Sequence, residues 1–401
     1  MTTTPAINPL LLDTGTPPIP AARSWLEAYD GRLGPLINLS QAVPGTPPPD
    51  EMLQRLAAAA GSASTAGYGA IRGDAALLDI YAEHVSGIYD AAIHPAEIAI
   101  TSGCNEAFFV AMLAVAKAGD AVMLPSPWYF NHQMTLRMLG ITVLVLPTQP
   151  DRGFVPDPDA ASRLIDVHRK QHPGVPVKAI VLVTPNNPTG AVYPAETIAR
   201  FGTLAVSAGC WLVLDETYRD FLPAASMRAH DLYGAPTARR HLIQLYSFSK
   251  AYCIPGHRAG AMIATTETMD QIGKVLDCMQ ICAPRTPQAA LTWAIPALAR
   301  WRAQSAIDIS RRAQAFVRSL AAAPQWNVDS IGAYFAYVRH PMKGARAEEV
   351  ARDLAVRGGI LALPGSYFGP GQDEFLRFAF ANVDDAAVAD VGQRLAHLSA
   401  A

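Results

Sequence analysis

Lys250 lies in Ser247-Phe-Ser-Lys-Ala251, directly after the apolar run His241-Leu-Ile-Gln-Leu-Tyr246, and Arg258 follows in Gly256-His-Arg-Ala-Gly260. A lysine amine beside hydroxyls at a strand end suits an imine to a carbonyl cofactor. The spaced arginine suits a clamp for that cofactor's phosphate. The plain alternative is a strand-end lysine facing solvent.

Five further segments ask for the same kind of ligand. Thr101-Ser-Gly-Cys-Asn-Glu-Ala107 reads as a glycine turn opening a helix. Free backbone N–H groups at such a helix start would seat a phosphate there, unless this is an ordinary capped turn. Pro125-Ser-Pro-Trp-Tyr-Phe130 offers three aromatics, one of which could stack on a flat heteroaromatic ring; simple packing is the competing reading. Thr184-Pro-Asn-Asn-Pro-Thr-Gly190 brackets two asparagines with prolines, so that an amide is held to donate to a phenolate oxygen. Asp215 ends the apolar run Trp211-Leu-Val-Leu214. A carboxylate there is partly buried and needs a partner, either a protonated ring nitrogen or the N–H groups of a following helix. Tyr218 is close enough in sequence to reach the same ring. Arg377 interrupts the strand-like Phe375-Leu-Arg-Phe-Ala379 and should fork onto a carboxylate, from the protein or from a substrate.

Most of these segments follow short apolar runs. Seven such runs, at 97–101, 121–124, 141–146, 179–183, 211–214, 242–245 and 260–263, alternate with helical periodicity. The pattern predicts an α/β fold whose mostly parallel seven-stranded sheet lies between helices. Such sheets bind ligands at their strand ends. A helical region over 265–323 contains Pro284, Pro287 and Pro296 and must break or kink. From about Trp326, short strands (334–338 and 375–379) mix with helices in a smaller α+β domain. The expected division is an arm over 1–45 that packs with the small domain and covers the active site, a large domain over 46–295 and a small domain over 296–401.

Composition narrows the class. Half of the 401 residues are hydrophobic and 16% are charged, which excludes a disordered chain. A net charge of -2 gives no basic excess for nucleic acid. No apolar stretch is long enough for a bilayer span and the start lacks a signal-peptide pattern, so a cytoplasmic protein is expected. Five cysteines give no disulfide framework, and no metal-ligand spacing stands out. Cys278 and Cys282, one helical turn apart, read as packed core thiols.

From about Ile37 to Arg394 the chain resembles the fold-type I, class I/II aminotransferases of the aspartate aminotransferase superfamily, with the Lys250 and Asn187 segments the most specific. The resemblance implies pyridoxal 5'-phosphate (PLP) as cofactor and a ping-pong exchange between an amino acid and a 2-oxo acid through a Lys250 aldimine. It implies that Asp215 pairs with the ring nitrogen, and that Tyr218 and Asn187 serve the phenolate oxygen. Gly103, Cys104, Asn105, Ser247, Ser249 and Arg258 are implied at the phosphate, Tyr129, or alternatively Trp128, at the ring face and Arg377 at the substrate carboxylate. Tyr68, in Tyr68-Gly-Ala-Ile-Arg-Gly73, resembles the tyrosine that reaches the phosphate of the neighbouring subunit, which implies a homodimer with shared sites. Asn38-Leu-Ser-Gln-Ala-Val-Pro44 resembles the arm over the substrate, with Ala42 where the family usually has glycine. No cation beside Asn105 stands ready for a distal carboxylate, and Arg285 reads as a surface arginine or as a cation serving across the dimer. The expected amino donor is therefore neutral, apolar or aromatic. A PLP-dependent β-lyase or synthase would keep the same core residues, and a non-catalytic PLP-binding regulator is the remaining alternative.

Overall fold

A computed structural model of the protein describes residues 5–223 and 228–399. Strand β1 (Ile37–Asn38) belongs to the N-terminal arm. Strands β2 (Ile98–Thr101), β3 (Ala121–Ser126), β4 (Thr142–Pro147), β5 (Val177–Val183), β6 (Trp211–Asp215), β7 (Leu242–Ser247) and β8 (Gly260–Ile263) form one sheet in the order β2-β8-β7-β6-β5-β3-β4. These are the seven apolar runs of the sequence. β8 runs antiparallel to both neighbours, and the other pairs are parallel.

Each inner strand is buried on both faces, which is why it reads as an unbroken apolar run. Successive side chains still point to opposite faces. In β3, Met123 enters one core with the helices Asp50–Ala60, Ala75–Tyr89 and Ala195–Ala208, while Val122 and Leu124 enter another with the helices Cys104–Val115 and Thr266–Gln280. The sheet edge at β4 is partly exposed.

The prolines divide the helical region as expected. Pro284 caps the helix Arg285–Ala297, Pro287 sits in its first turn, and the helix ends one residue after Pro296. The 21-residue helix Ala299–Ser319 follows and runs into the small domain. There β9 (Asn327–Gly332), β10 (Phe335–Arg339), β12 (Leu363–Pro364) and β13 (Phe375–Phe378) form an antiparallel sheet in the order β12-β13-β10-β9. Strand β11 (Ile360–Leu361) pairs in parallel with β1, so the arm is stitched to the small domain. Trp25, on a short 3-10 turn of the arm, is buried in the same core.

The two domains meet closely at the loop after β5. A Cβ on Gly190 would lie 2.4 Å from the backbone nitrogen of Gly332, so only glycine lets these backbones approach. All five cysteines are free thiols, but Cys278 and Cys282 are not packed core residues. The helix ends at Gln280, Ile281 takes φ +61°, Cys278 is exposed, and the Cys282 sulfur accepts from the Gly69 N–H at 3.2 Å. The break turns the two thiols onto different environments. Among the described residues no helix is long and apolar enough to cross a membrane, and no group of three metal-ligating side chains gathers.

Candidate active site

Because the parallel strands share one direction, Thr101, Ser126, Val183, Asp215 and Ser247 all end on one edge of the sheet. Gly260, which opens antiparallel β8, pairs with both Ser247 and Thr101 at that edge. A cavity of about 260 Å³ opens there, closed on the far side by arm residues Ile19, Gln41, Ala42 and Val43 and by Arg377 of the small domain. Cys104, Asn105, Tyr129, Asn187, Asp215, Tyr218, Ser247, Ser249, Lys250 and Arg258 also line it. Of the residues singled out in the sequence for the site, Gly103, Tyr68, Trp128 and Arg285 are not in that lining.

Lys250 projects from a single helical turn, Phe248–Ala251, that caps itself through the Ser247 hydroxyl. Its amine donates to the carbonyl oxygen of Ala42, a contact between the sheet edge and the arm. Burial, with the positive charges of Arg258 and Arg377, lowers the amine from 10.5 to about 8. An amine so poised loses its proton near pH 8 and can then act as a nucleophile or base.

Asp215 is buried at the end of β6. Its Oδ1 accepts from the Thr217 N–H at 2.9 Å, and His132 Nε2 lies 3.3 Å from its Oδ2. Burial pushes the carboxyl up, but His132 and Thr217 outweigh it and hold the group below its ordinary value. The carboxylate is thus kept ionised while facing the cavity. His132 was not among the candidates. It sits in the first turn of the helix Phe130–Met138, and its ring stacks on Phe108 with centroids 3.9 Å apart. A lone histidine after an aromatic run carries no local signal of this contact.

Arg377 is 1% exposed, on β13. Nη1 donates to Asn187 Oδ1 at 3.1 Å, Nη2 donates to the Ser40 carbonyl, and Nε has no partner. The guanidinium lies between the rings of Phe335 and Phe368, 5.1 and 5.0 Å from their centroids. No ion pair among the described residues contains it, so the internal salt bridge allowed by the sequence is not formed. Burial lowers it from 12.5 to about 10, the mark of a cation without an anion.

The helix Cys104–Val115 leaves its first N–H groups without intrahelical partners at the cavity's end. Gly103 takes φ +92°, and a Cβ there would lie 2.0 Å from Arg258 Nη2. Arg258 spans that gap, donating to the carbonyls of Ser102 at 3.1 Å and Pro255 at 3.0 Å. The Tyr129 hydroxyl donates to Asn105 Oδ1 at 3.3 Å, while Trp128 packs outside this cavity, against the neighbouring core. Tyr218 is buried against Tyr334 and Phe335 of the small domain, and burial raises its phenol. Tyr68 is 80% exposed and shares a separate surface depression with Arg285. Arg285 pairs there with Asp74 at 3.1 Å.

The donor set fits PLP: an amine for its aldehyde, a carboxylate kept ionised for its ring nitrogen, and helix-end N–H groups, two serines and an arginine for its phosphate. An α/β sheet with a small second domain and this cavity at its strand ends defines the class, a PLP-dependent enzyme. The family described as "Aminotransferase class I and II" matches residues 34–395, and the chain belongs to it; it is a PLP-dependent aminotransferase. It is 29% identical over 307 residues to the aromatic aminotransferase ISS1 of Arabidopsis thaliana, covering 75% of this chain and 74% of that one. It is also 29% identical over 285 residues to a valine–pyruvate aminotransferase of Mycobacterium tuberculosis, covering 70% and 69%. The fold matches an aspartate aminotransferase of Thermus thermophilus solved with maleate, with TM-score 0.87 and 23% identity over 98% of this chain and all of that one.

Proposed function

We propose that the amino donor is a neutral amino acid with an apolar or aromatic side chain. The supporting observation is the charge inventory of the cavity. Among the described lining residues its cations are Lys250, Arg258 and Arg377, and each has a use other than a distal carboxylate. Ile19, Val43 and Phe130 face the remaining space, and Arg285 is engaged with Asp74. Relatives named for aromatic and for valine donors fit the same reading.

In this reading Arg377 takes the substrate α-carboxylate in its fork, which fixes the direction of the α C–H bond. Lys250, with an amine lowered to about 8, is then the base that removes the α-proton and the acid that hands it on within the site. When bound, PLP supplies the electron sink for this transfer. Asp215, kept ionised by His132 and Thr217, would hold a proton on the PLP ring nitrogen. Tyr218 and Asn187 serve the phenolate oxygen. Gly103, Cys104, Asn105, Ser247, Ser249 and Arg258 hold the phosphate, and Tyr129 covers the ring face. The arm residue Ala42 closes over Lys250 and limits the substrate's bulk.

The exposed Tyr68 supports a homodimer in which this tyrosine completes the partner's site. Five free thiols accord with a cytoplasmic setting. The test is a half-reaction: single L-amino acids are added to holoenzyme without a 2-oxo acid, and the cofactor's visible absorption is followed. Stoichiometric 2-oxo acid from leucine, phenylalanine or tyrosine is expected. Release only from aspartate or glutamate would overturn the donor assignment.

A further inference from the structure

Outside the cavity lining lies a largely buried ion pair between Asp220 and Arg302. Arg302 Nη1 donates to Asp220 Oδ1 at 2.8 Å, and Nη2 donates to the Ile295 carbonyl at 3.2 Å. The Tyr246 hydroxyl donates to Asp220 Oδ2 at 2.6 Å. The Arg302 guanidinium also covers the ring of Tyr252, 5.1 Å from its centroid.

Each partner adjoins a residue of the site. Asp220 is two residues beyond Tyr218, Tyr252 two beyond Lys250, and Tyr246 immediately precedes Ser247. The guanidinium therefore grips the Tyr218 turn through Asp220 and covers a ring two residues past Lys250, while Asp220 ties in the end of β7 through Tyr246. Arg302 stands in the first turn of the helix Ala299–Ser319. Further along that helix, Arg312 donates to the Ala381 carbonyl at 2.8 Å and to Asp385 at 3.3 Å. Ala381 is four residues beyond Arg377. The same rigid helix thus holds both the cofactor-side turns and the chain leaving the carboxylate clamp.

Stability alone is a poor reason for such a pair. Desolvating two charges offsets much of their attraction, and apolar residues of similar volume commonly stabilise as well or better. What an ion pair adds is direction, because its hydrogen bonds fail when either partner shifts.

We propose that Arg302 is a positioning residue for amino-group transfer, registering the Tyr218 and Lys250 turns against the helix that carries the small domain. This rests on the roles given above to Tyr218 and Lys250. The decisive variant is Arg302→Met combined with Asp220→Asn, which leaves no buried unpaired charge and keeps an acceptor for Tyr246. The half-reaction rate per bound cofactor at saturating amino acid should fall on the order of tenfold, as for a small misplacement of reacting groups. The amino-acid KM should change by less than about threefold, because Arg377 is untouched. The visible circular dichroism of the bound cofactor, which reports its tilt, should change in amplitude per site. Arg302→Lys should recover part of both signals.

A double variant with rate and dichroism per site within about twofold of wild type, its only defect a lower melting temperature, would overturn the proposal. If the wild-type chain itself fails the half-reaction, the functional reading falls, while the dichroism still tests Arg302.

Discussion

Replacing Lys250 with methionine in cofactor-free protein isolates the strain that the site stores in its amine. The amine titrates at 10.5 in the unfolded chain and at about 8 in the folded one. At about 1.36 kcal/mol per pH unit, that lowering disfavours folding by at most about 3 kcal/mol wherever the unfolded chain carries the charge. Lys250 is only half-buried, so solvent screening reduces the expected value to about 1.5 kcal/mol. Below about pH 8 both states are charged and the penalty is constant. From about 8 to 10.5 the unfolded chain holds more protons than the folded one, so wild-type stability rises with pH through this window. The Lys250→Met protein lacks this titration. Urea unfolding of both proteins across the window should show the stability difference moving in the wild type's favour by about 1.5 kcal/mol. Losing the hydrogen bond to the Ala42 carbonyl costs the variant about 1 kcal/mol and offsets the whole curve rather than tilting it. A difference that stays flat across the window would refute the account of a desolvated amine flanked by two guanidinium groups.

Arg377→Leu should lower kcat/KM for the amino acid on the order of a hundredfold or more, the loss expected for an unpaired carboxylate. Its folded stability should hardly change, because relief of an uncompensated buried charge offsets the lost hydrogen bonds to Asn187 and Ser40, and Arg377→Lys should rescue little for want of a fork. His132→Leu takes away a neighbour that holds the Asp215 carboxyl down; a cofactor titration should show affinity weakened by about tenfold, the loss typical of an orienting partner. Gly103→Ala strains a backbone at φ +92° and forces the Arg258 guanidinium, 2.0 Å from the new methyl, to move away, so cofactor binding followed by fluorescence should weaken while the far-ultraviolet dichroism is retained. Mixing inactive Lys250→Ala and Tyr68→Ala chains should restore activity, since one site in each mixed dimer regains both residues; no recovery would place Tyr68 outside the partner's site.

The sequence by itself carried the seven strands and the candidate residues at their ends. Both are local signals: apolar runs report burial on two faces, and the Gly, Pro, Asn and Asp residues that follow report where a strand must turn. Parallel strands then gather their ends at one edge, so Cys104, Asn187, Asp215 and Lys250 meet without being neighbours in the chain. Distant contacts were not legible. Lys250 meets the Ala42 carbonyl across 208 positions, and Arg377 meets Asn187 across 190. No period or turn encodes such pairings; they follow from how the arm and small domain pack on the sheet. That packing left Arg377 without a protein carboxylate, set His132 against Asp215, and brought Tyr129 rather than Trp128 to the cavity. It also ended a helix at Gln280, which separated two cysteines that their spacing alone had placed together. Local sequence determined which chemistry was on offer, and the long-range burial of charge decided which groups were left free to perform it.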